Sequence, residues 1–472
     1  MVTKKQAKLH VHFMGIGGSA LAGVAVLAQK AGFSVSGCDL EAQTYYMAGL
    51  EKAGIKPLVG HDVQHLQAVD ILAVSPAVLA LNPNHPEVVA GKKAAILITW
   101  QEFMGKYLQK GKYVLAVAGA HGKSTTTALL GLVLEAAKLD PTVEVGAIVP
   151  SWQATARPGR SNYFVCEADE FNYNFLAYRP SLLIINNIEM DHPEFFKGFS
   201  QLQGAFEQLI HQLKPPKILI VNEESEGVKK VLEGQKIWLE RNRVKLIGYF
   251  LEERFAFPFA SEYQGIIKKA DTTGTKFEVN GPSGHQQFKL TIPGFHNVVN
   301  SLGVLAAADQ LRVNPATSFG VLAKFGGVRR RFELIGASRG VRVFDDYAVH
   351  PTAVSATLKS AKQKYPQARL WAIFEPHQYS RLDLFLISFA DALDLADKVV
   401  VTKTYAGREK TPGKTKPVDL VRKIGLKAAY QPDFNKLASD VARQVRRNDL
   451  VIVFGAGKSY QISKLILEKL SS

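Results

Sequence analysis

The run Tyr113–Gly119 reads as a buried strand and leads directly into Gly119-Ala120-His121-Gly122-Lys123-Ser124-Thr125, after which a helical pattern reaches about Ala137. A strand that ends in glycines and restarts as a helix is the repeating unit of a parallel α/β sheet, since parallel neighbours need a crossover. The same turn dictates a ligand chemistry. Glycines let backbone N–H groups approach an anion, and the helix start adds about half a positive charge. Lys123 can neutralise β- and γ-phosphates, and the Ser124 hydroxyl can ligate Mg²⁺. The spacing, G-x-x-G-K-S, is two residues shorter than the usual phosphate loop, and an ordinary strand–turn–helix with a surface lysine is the alternative.

Strand-like and helix-like stretches alternate through most of the chain. Leu9–Met14, Ser34–Asp39, Asp70–Ser75 and Ala95–Trp100 read as strands, Gly18–Lys30 as a helix, and Gln101–Lys112 as a polar amphipathic connector and first domain boundary. Tyr163–Ala168, Ser181–Ile188 and Lys217–Asn222 are further strands. From about Ile237 to Ile292 short alternating runs suggest an antiparallel edge, before a helix at His296–Gln310. Gly326-Gly327-Val328-Arg329-Arg330-Arg331 resembles a hinge. Beyond it Val341–Asp345, Leu370–Glu375, Lys398–Thr402 and Leu450–Phe454 form a third cycle. At ~100–200 residues per domain, 472 residues suggest two to four domains, and the three cycles give three α/β units. These are a Rossmann-like domain (1–110), a central P-loop-type ATPase domain with a mainly parallel sheet (111–327) and a C-terminal Rossmann-like domain (328–472).

Two further places carry chemistry. Gly15-Ile16-Gly17-Gly18-Ser19 follows a strand and starts a helix, with Asp39 ending the next strand and the third glycine displaced to Gly23. It suits a pyrophosphate, in a dinucleotide or a nucleotide-sugar, or serves only as a packing turn. Glu167-Ala168-Asp169-Glu170 and Asn186-Asn187-Ile188-Glu189-Met190-Asp191-His192 end two strands where a parallel sheet exposes its ligand-binding edge. Converging on one lysine loop, they would make a two-metal nucleotide site. Gly455-Ala456-Gly457-Lys458 is read as a structural turn.

The charge balance, 58 lysines and arginines against 42 acidic residues or +16, favours anionic partners; it is spread without basic–aromatic stripes, so nucleic acid is not expected. Two cysteines, Cys38 and Cys166, exclude a disulfide framework and a Cys-rich zinc site, and fit a reducing, cytoplasmic setting. The uncharged stretch from Val11 to Ala28 is broken by glycines and contains His12, so neither a signal peptide nor membrane insertion is expected.

Taken in order, these pieces resemble the Mur ligase family, the ATP-dependent amide ligases of peptidoglycan precursor synthesis. The resemblance rests on His12–Gly18, Gly119–Thr127, Glu167–Glu170, Asn187–Glu189 with Asp191-His192, Gly294–Asn300, Arg330-Arg331-Phe332, Asp345–Tyr347 with His350–Thr352, and Phe374–His377. It implies ATP, a pair of Mg²⁺ ions and the small-molecule substrates UDP-N-acetylmuramate and L-alanine, in a monomer or homodimer. The branch that recycles intact tripeptide is the near alternative; it usually carries an insert after Glu170 that is absent here. Departures are Gln378 for an arginine, Ala348-Val349 for a Gly-His pair, Asn172 in the acidic motif and Ala120 in the lysine loop.

By the same resemblance, Gly119, Ala120, His121, Gly122, Lys123, Ser124 and Thr125 hold ATP phosphates, Asn297 and Asn300 the adenine, and Asp346 ATP. Ser124, Glu167 and His192 hold metal. Lys123, Glu167, His192, Arg330, Arg331 and His350 carry catalysis, with Arg330 or Arg331 closing onto ATP. Gly15, Gly17, Gly18, Ser19, Asp39, His61, Ser75, His377 and Arg381 take the UDP-linked substrate, His377 also being suited, like His350, to positioning alanine. A nicotinamide-dependent oxidoreductase is the rival class; it leaves the Lys123 loop unexplained.

Overall fold

The computed structural model describes residues 8–252 and 261–471. Its strands form three sheets. The first contains β1 (His10–Met14), β2 (Ser34–Asp39), β3 (Leu58–Val59), β4 (Ile71–Val74) and β5 (Leu97–Thr99), all parallel, in the order β3-β2-β1-β4-β5. The strand order reverses beside β1, which places the Gly15 turn and Ser75 at the crevice where such sheets bind ligands.

The second sheet comprises β6 (Tyr113–Ala118), β7 (Thr142–Val149), β8 (Ala154–Arg157), β9 (Tyr163–Ala168), β10 (Leu182–Ile185), β11 (Ile218–Asn222), β12 (Lys245–Leu251), β13 (Ser261–Asp271), β14 (Gly274–Gly281) and β15 (Gly284–Leu290). Their order is β15-β14-β13-β12-β11-β10-β6-β9-β7-β8. The centre is parallel, and antiparallel pairs close both edges. Helices cover both faces, so β6 is apolar throughout: Val114, Ala116 and Ala118 enter one core, Leu115 and Val117 the other. The third sheet holds β16 (Glu333–Ser338), β17 (Val341–Asp346), β18 (Leu370–Phe374), β19 (Lys398–Val401), β20 (Ala428–Tyr430) and β21 (Leu450–Phe454), in the order β16-β17-β21-β18-β19-β20 with only β16 antiparallel. Among the described residues no helix is long and apolar enough to cross a membrane.

Three sequence expectations need correction. Gln101–Lys112 is not a polar connector. Helix runs from Trp100 through Leu108, started by a Thr99–Glu102 capping box, and it buries Gln101, Phe103 and Met104. The antiparallel region begins later than Ile237, since β12 still pairs in parallel with β11 and β13. β7 was not anticipated, because Glu144 and Gly146 interrupt its apolar pattern. Gly23, on the first helix (Ser19–Lys30), faces the central sheet: a Cβ there would lie 2.7 Å from Thr155 Oγ1. Its missing side chain lets the first helix pack onto β7 and β8.

Candidate active site

A cleft of about 1210 Å³ runs between the three sheets, lined by Ser19 and Ser75 from the first unit, Lys123 and His192 from the second, and Arg331 and His377 from the third. Its floor is the lysine loop. Gly119 and Gly122 have φ of +134° and +82°, and a Cβ on Gly122 would stand 2.6 Å from Asn300 Oδ1. Only glycine fits that turn. The helix Lys123–Ala136 has no side-chain cap, leaving its first N–H groups facing the cleft. His121 N donates to Asn187 Oδ1 at 2.9 Å, and Asn186 Nδ2 donates to Thr126 Oγ1 at 3.0 Å, so the end of β10 braces the loop.

Lys123 Nζ donates to Gly119 O at 2.6 Å and Glu170 Oε2 at 2.8 Å, with Asp169 at 3.7 Å. Burial acts to lower its pKa, but Glu170, Asp169 and Glu167 outweigh it and the ammonium is held above its ordinary range. The two strand-end motifs meet here: ligand atoms of Asp169, Glu170 and His192 lie within 4.8 Å of one another. Glu170 Oε1 is buried without a hydrogen-bond partner among the described residues, and burial raises the pKa of that carboxyl. Glu167 lies beside Ser124 and takes a 2.5 Å hydrogen bond from Gly146 N; burial raises its pKa too, as it does for neighbouring Glu144. A buried acidic set with an orphaned oxygen suits a hard divalent cation. His192, at φ +54°, is braced by Glu194 at 3.0 Å. Burial opposes its protonation, yet Asp191 and Glu194 raise its pKa.

The third unit reaches in through several side chains. Arg331 Nη2 donates to Ser124 Oγ at 3.4 Å, and its guanidinium sits 5.0 Å from the Tyr347 ring centre. Arg381 binds Asp191, and His377 Nδ1 accepts from Arg381 Nη1 at 2.7 Å. Arg408 stacks 3.7 Å from the Phe171 ring centre. Asn297 and Asn300 both line the cleft, with Asn297 Nδ2 also donating to Pro293 O at 2.7 Å.

Not every expected residue arrives. Arg330 is buried away from the loop, donating to Asp345 Oδ2 at 2.8 Å, Gly455 O at 2.8 Å and Ser459 Oγ at 3.1 Å. Asp346 lines the cleft, but Phe332 N, Ala348 N and Thr357 Oγ1 already donate to its carboxylate. His350 lines the cleft with its ring tilted 43° to that of His121, but both its nitrogens are engaged, Nε2 with Met190 O at 3.2 Å and Nδ1 with Thr352 N at 3.3 Å. It joins two domains and starts a helix. His61 is not at the cleft; its Nδ1 lies 3.0 Å from Cys38 Sγ. The convergence of the Asp169-Glu170 motif on Lys123 follows the expectation from sequence, whereas nothing local signalled that Asp191 would pair with Arg381 or that Arg408 would cover the Phe171 ring.

At the N-terminal turn Gly15 N donates to Cys38 O at 2.8 Å and Gly17 N to Asp39 Oδ2 at 2.9 Å. A Cβ on Gly17 would meet Met47 at 2.5 Å. Gly18 starts the first helix without a side-chain cap, so free N–H groups and Ser19 face the cleft beside Ser75. Two uncapped helix starts thus share one cavity.

Comparison with known proteins follows the same three units. Residues 10–111 match "Mur ligase family, catalytic domain", 117–308 "Mur ligase middle domain" and 330–457 "Mur ligase, glutamate ligase domain". The UDP-N-acetylmuramate–L-alanine ligase of Agathobacter rectalis is 36% identical over 465 residues, covering 98% of each chain. That of Caldanaerobacter subterraneus is 34% identical, covering 97% of each. Among solved structures, the UDP-N-acetylmuramate–alanine ligase of Thermotoga maritima superposes with a TM-score of 0.80 at 27% identity, covering 98% of this chain and 99% of that one.

Proposed function

The chain belongs to the Mur ligase family, and from that premise we propose that it joins L-alanine to the carboxylate of UDP-N-acetylmuramate at the expense of ATP. The observation that carries this reading is the shared cleft: the uncapped Gly18 helix start and the Lys123 loop open into one cavity, with Arg331 beside Ser124. A diphosphate-linked acid and a triphosphate can therefore meet there.

An amide does not form from a carboxylate and an ammonium without activation. The muramyl carboxylate oxygen attacks the γ-phosphorus of ATP, the bond to the β-phosphate oxygen breaks, and ADP leaves an acyl phosphate. The neutral amine of L-alanine then attacks the acyl carbon, and the tetrahedral adduct expels phosphate as the amine proton passes to the medium. The Gly119–Thr125 backbone and Lys123 hold the β- and γ-phosphates, and Asn297 and Asn300 face the base. Arg331 offsets charge that builds on the transferred phosphoryl group. Gly15, Gly17, Gly18, Ser19, Asp39 and Ser75 take the UDP part. His377 lies toward the amine end, and Arg381 and His350 act by holding the last domain in place.

Asp169, Glu170 and His192 form one donor set, and Ser124 beside Glu167 a second pair, that would hold Mg²⁺, which when bound would supply charge neutralisation between two anions. The reaction belongs in the cytoplasm, where ATP is available and the thiols Cys38 and Cys166 stay reduced.

The test is phosphate release with ATP, UDP-N-acetylmuramate and a panel of L-alanine, glycine, L-serine and the recycled tripeptide. L-alanine should give the highest kcat/KM, with glycine and L-serine lower by ~1–3 kcal/mol of discrimination. Preference for the tripeptide would move the chain to the recycling branch. A nicotinamide absorbance change without ADP release would remove it from ligase chemistry altogether.

A further inference from the structure

Behind the N-terminal glycine turn, outside the cleft, four different side chains converge from four separate segments. His12 lies on β1, Cys38 on β2, His65 in the short 3₁₀ turn Val63–Leu66, and Glu87 in the first turn of the helix Pro86–Lys93. One donor atom from each lies within 4.8 Å of all the others. His12 Nε2 is 3.3 Å from both Cys38 Sγ and Glu87 Oε1, Cys38 Sγ is 3.7 Å from Glu87 Oε1, and His65 Nδ1 is 3.8 Å from Glu87 Oε1. Metal–ligand bonds of about 2.0–2.3 Å in a tetrahedron place neighbouring donors about 3.3–3.7 Å apart. Four of the six separations, at 3.3–3.8 Å, are close to the edges of such a tetrahedron, and the His65 donor stands within 4.8 Å of those of His12 and Cys38.

We propose that His12, Cys38, His65 and Glu87 form a zinc site that fastens the 3₁₀ turn after β3 and the helix start at Pro86 to the sheet beneath the glycine turn. Their chemistry supports one zinc ion rather than Mg²⁺ or Ca²⁺, because thiolate and imidazole prefer a softer cation than carboxylate-rich sites do. The charges balance: a thiolate and a carboxylate offset one divalent ion, with two neutral imidazoles completing the set. On binding, the Cys38 Sγ–H bond breaks, its electron pair becomes the sulfur–metal bond, and the proton leaves to solvent.

The surroundings are those of a built site. His12, Cys38 and Glu87 are fully buried. The other nitrogen of His12, Nδ1, lies 2.8 Å from the Ser36 hydroxyl, which fixes the ring so that Nε2 faces the cluster. His61 Nδ1, 3.0 Å from Cys38 Sγ, can donate to the thiolate. His65 Nδ1 also receives a long 3.3 Å contact from Asp62 N, which ligation would replace. Without a cation, burial and Glu87 hold the Cys38 thiol far above its ordinary pKa. A lone cysteine excludes a Cys-rich zinc cluster but not a mixed one, and no spacing in the sequence joins these four residues.

The site is independent of the ligase reading, and its test does not use activity. Full-length protein, stripped with chelator and shown folded by circular dichroism, is titrated with Zn²⁺ and with Co²⁺. The expected result is one equivalent bound, with a thiolate-to-cobalt charge-transfer band in the near ultraviolet. That band should persist in Cys166→Ser and vanish in Cys38→Ser, which removes any contribution from the acidic cleft. His65→Gln, at a more exposed ligand, should lose stoichiometric zinc while remaining folded, and Ser36→Ala should weaken binding ~10–100-fold. Folded wild-type protein that takes up no stoichiometric zinc overturns the proposal, as does a cobalt–thiolate band that survives in Cys38→Ser.

Discussion

Arg381 donates through both Nε and Nη2 to a single oxygen of Asp191, at 3.0 and 2.6 Å, and so ties the last domain to the strand end that carries His192. Burial would raise the Asp191 carboxyl, but Arg381 and the nearby histidines hold it well below the usual carboxylate range. Breaking one partner leaves an uncompensated buried charge, a loss of ~3–5 kcal/mol. Arg381→Ala should therefore lower the thermal midpoint and undock the domain. Arg381→Lys should rescue little, since one ammonium cannot copy the guanidinium fork. An Arg381→Ala enzyme with unchanged melting and kcat/KM would sink this account of the joint.

Lys123→Met keeps the helix start but removes the charge facing the phosphates. Turnover should fall ~10²–10³-fold, the scale of losing one transition-state donor. Far-ultraviolet circular dichroism should stay native. Turnover close to wild type would remove Lys123 from the chemistry.

Adjacent arginines should behave differently. Arg331 faces Ser124 across the cleft, so Arg331→Ala should reduce kcat with little change in melting. Arg330 is enclosed by Asp345, Gly455 and Ser459, so Arg330→Ala should cost ~3–5 kcal/mol of stability instead. Paired melting curves and steady-state kinetics separate the two roles, and a reversed pattern would refute the assignment.

His350 sets a pH dependence. Burial and then the His121 charge lower its pKa from 6.5 to about 4, opposed by Asp191 and Glu189. The folded form thus favours the neutral ring, and the unfolded chain binds more protons between pH 4 and 6.5. Its contribution is fully present above pH 6.5 and is lost as pH falls toward 4. His296, also lowered to about 4, acts in the same direction, whereas His192 has a raised pKa and acts in the opposite one. Melting temperature against pH should flatten over this window in His350→Gln; an unchanged slope would show that the ring does not carry it.

Much of the architecture was legible in local sequence. β9 and β21 occupy the spans their apolar runs indicated, and the Gly119–Ser124 turn sits between strand and helix as its residues require. These are short-range properties. A short apolar run bounded by turn residues fits an interior parallel strand, and the glycine turn at its end fits the start of a crossover helix. β7 escaped because Glu144 lies buried within it, a choice governed by partners on another strand rather than by propensity.

The amino-acid order alone determined the succession of α/β units and the two glycine turns that open helices, because both depend on backbone conformation and periodicity within a few residues. Tertiary structure decided which charges face the cleft. Arg330 and Arg331 are neighbours in sequence, yet one is locked against Asp345 and the other reaches Ser124. His61 and Ser75 follow strands that are consecutive in the chain but separated in the sheet by β2 and β1, so His61 joins Cys38 while Ser75 borders the cavity. Side-chain direction and long-range pairing arise only when the sheets pack, and no local pattern encodes them.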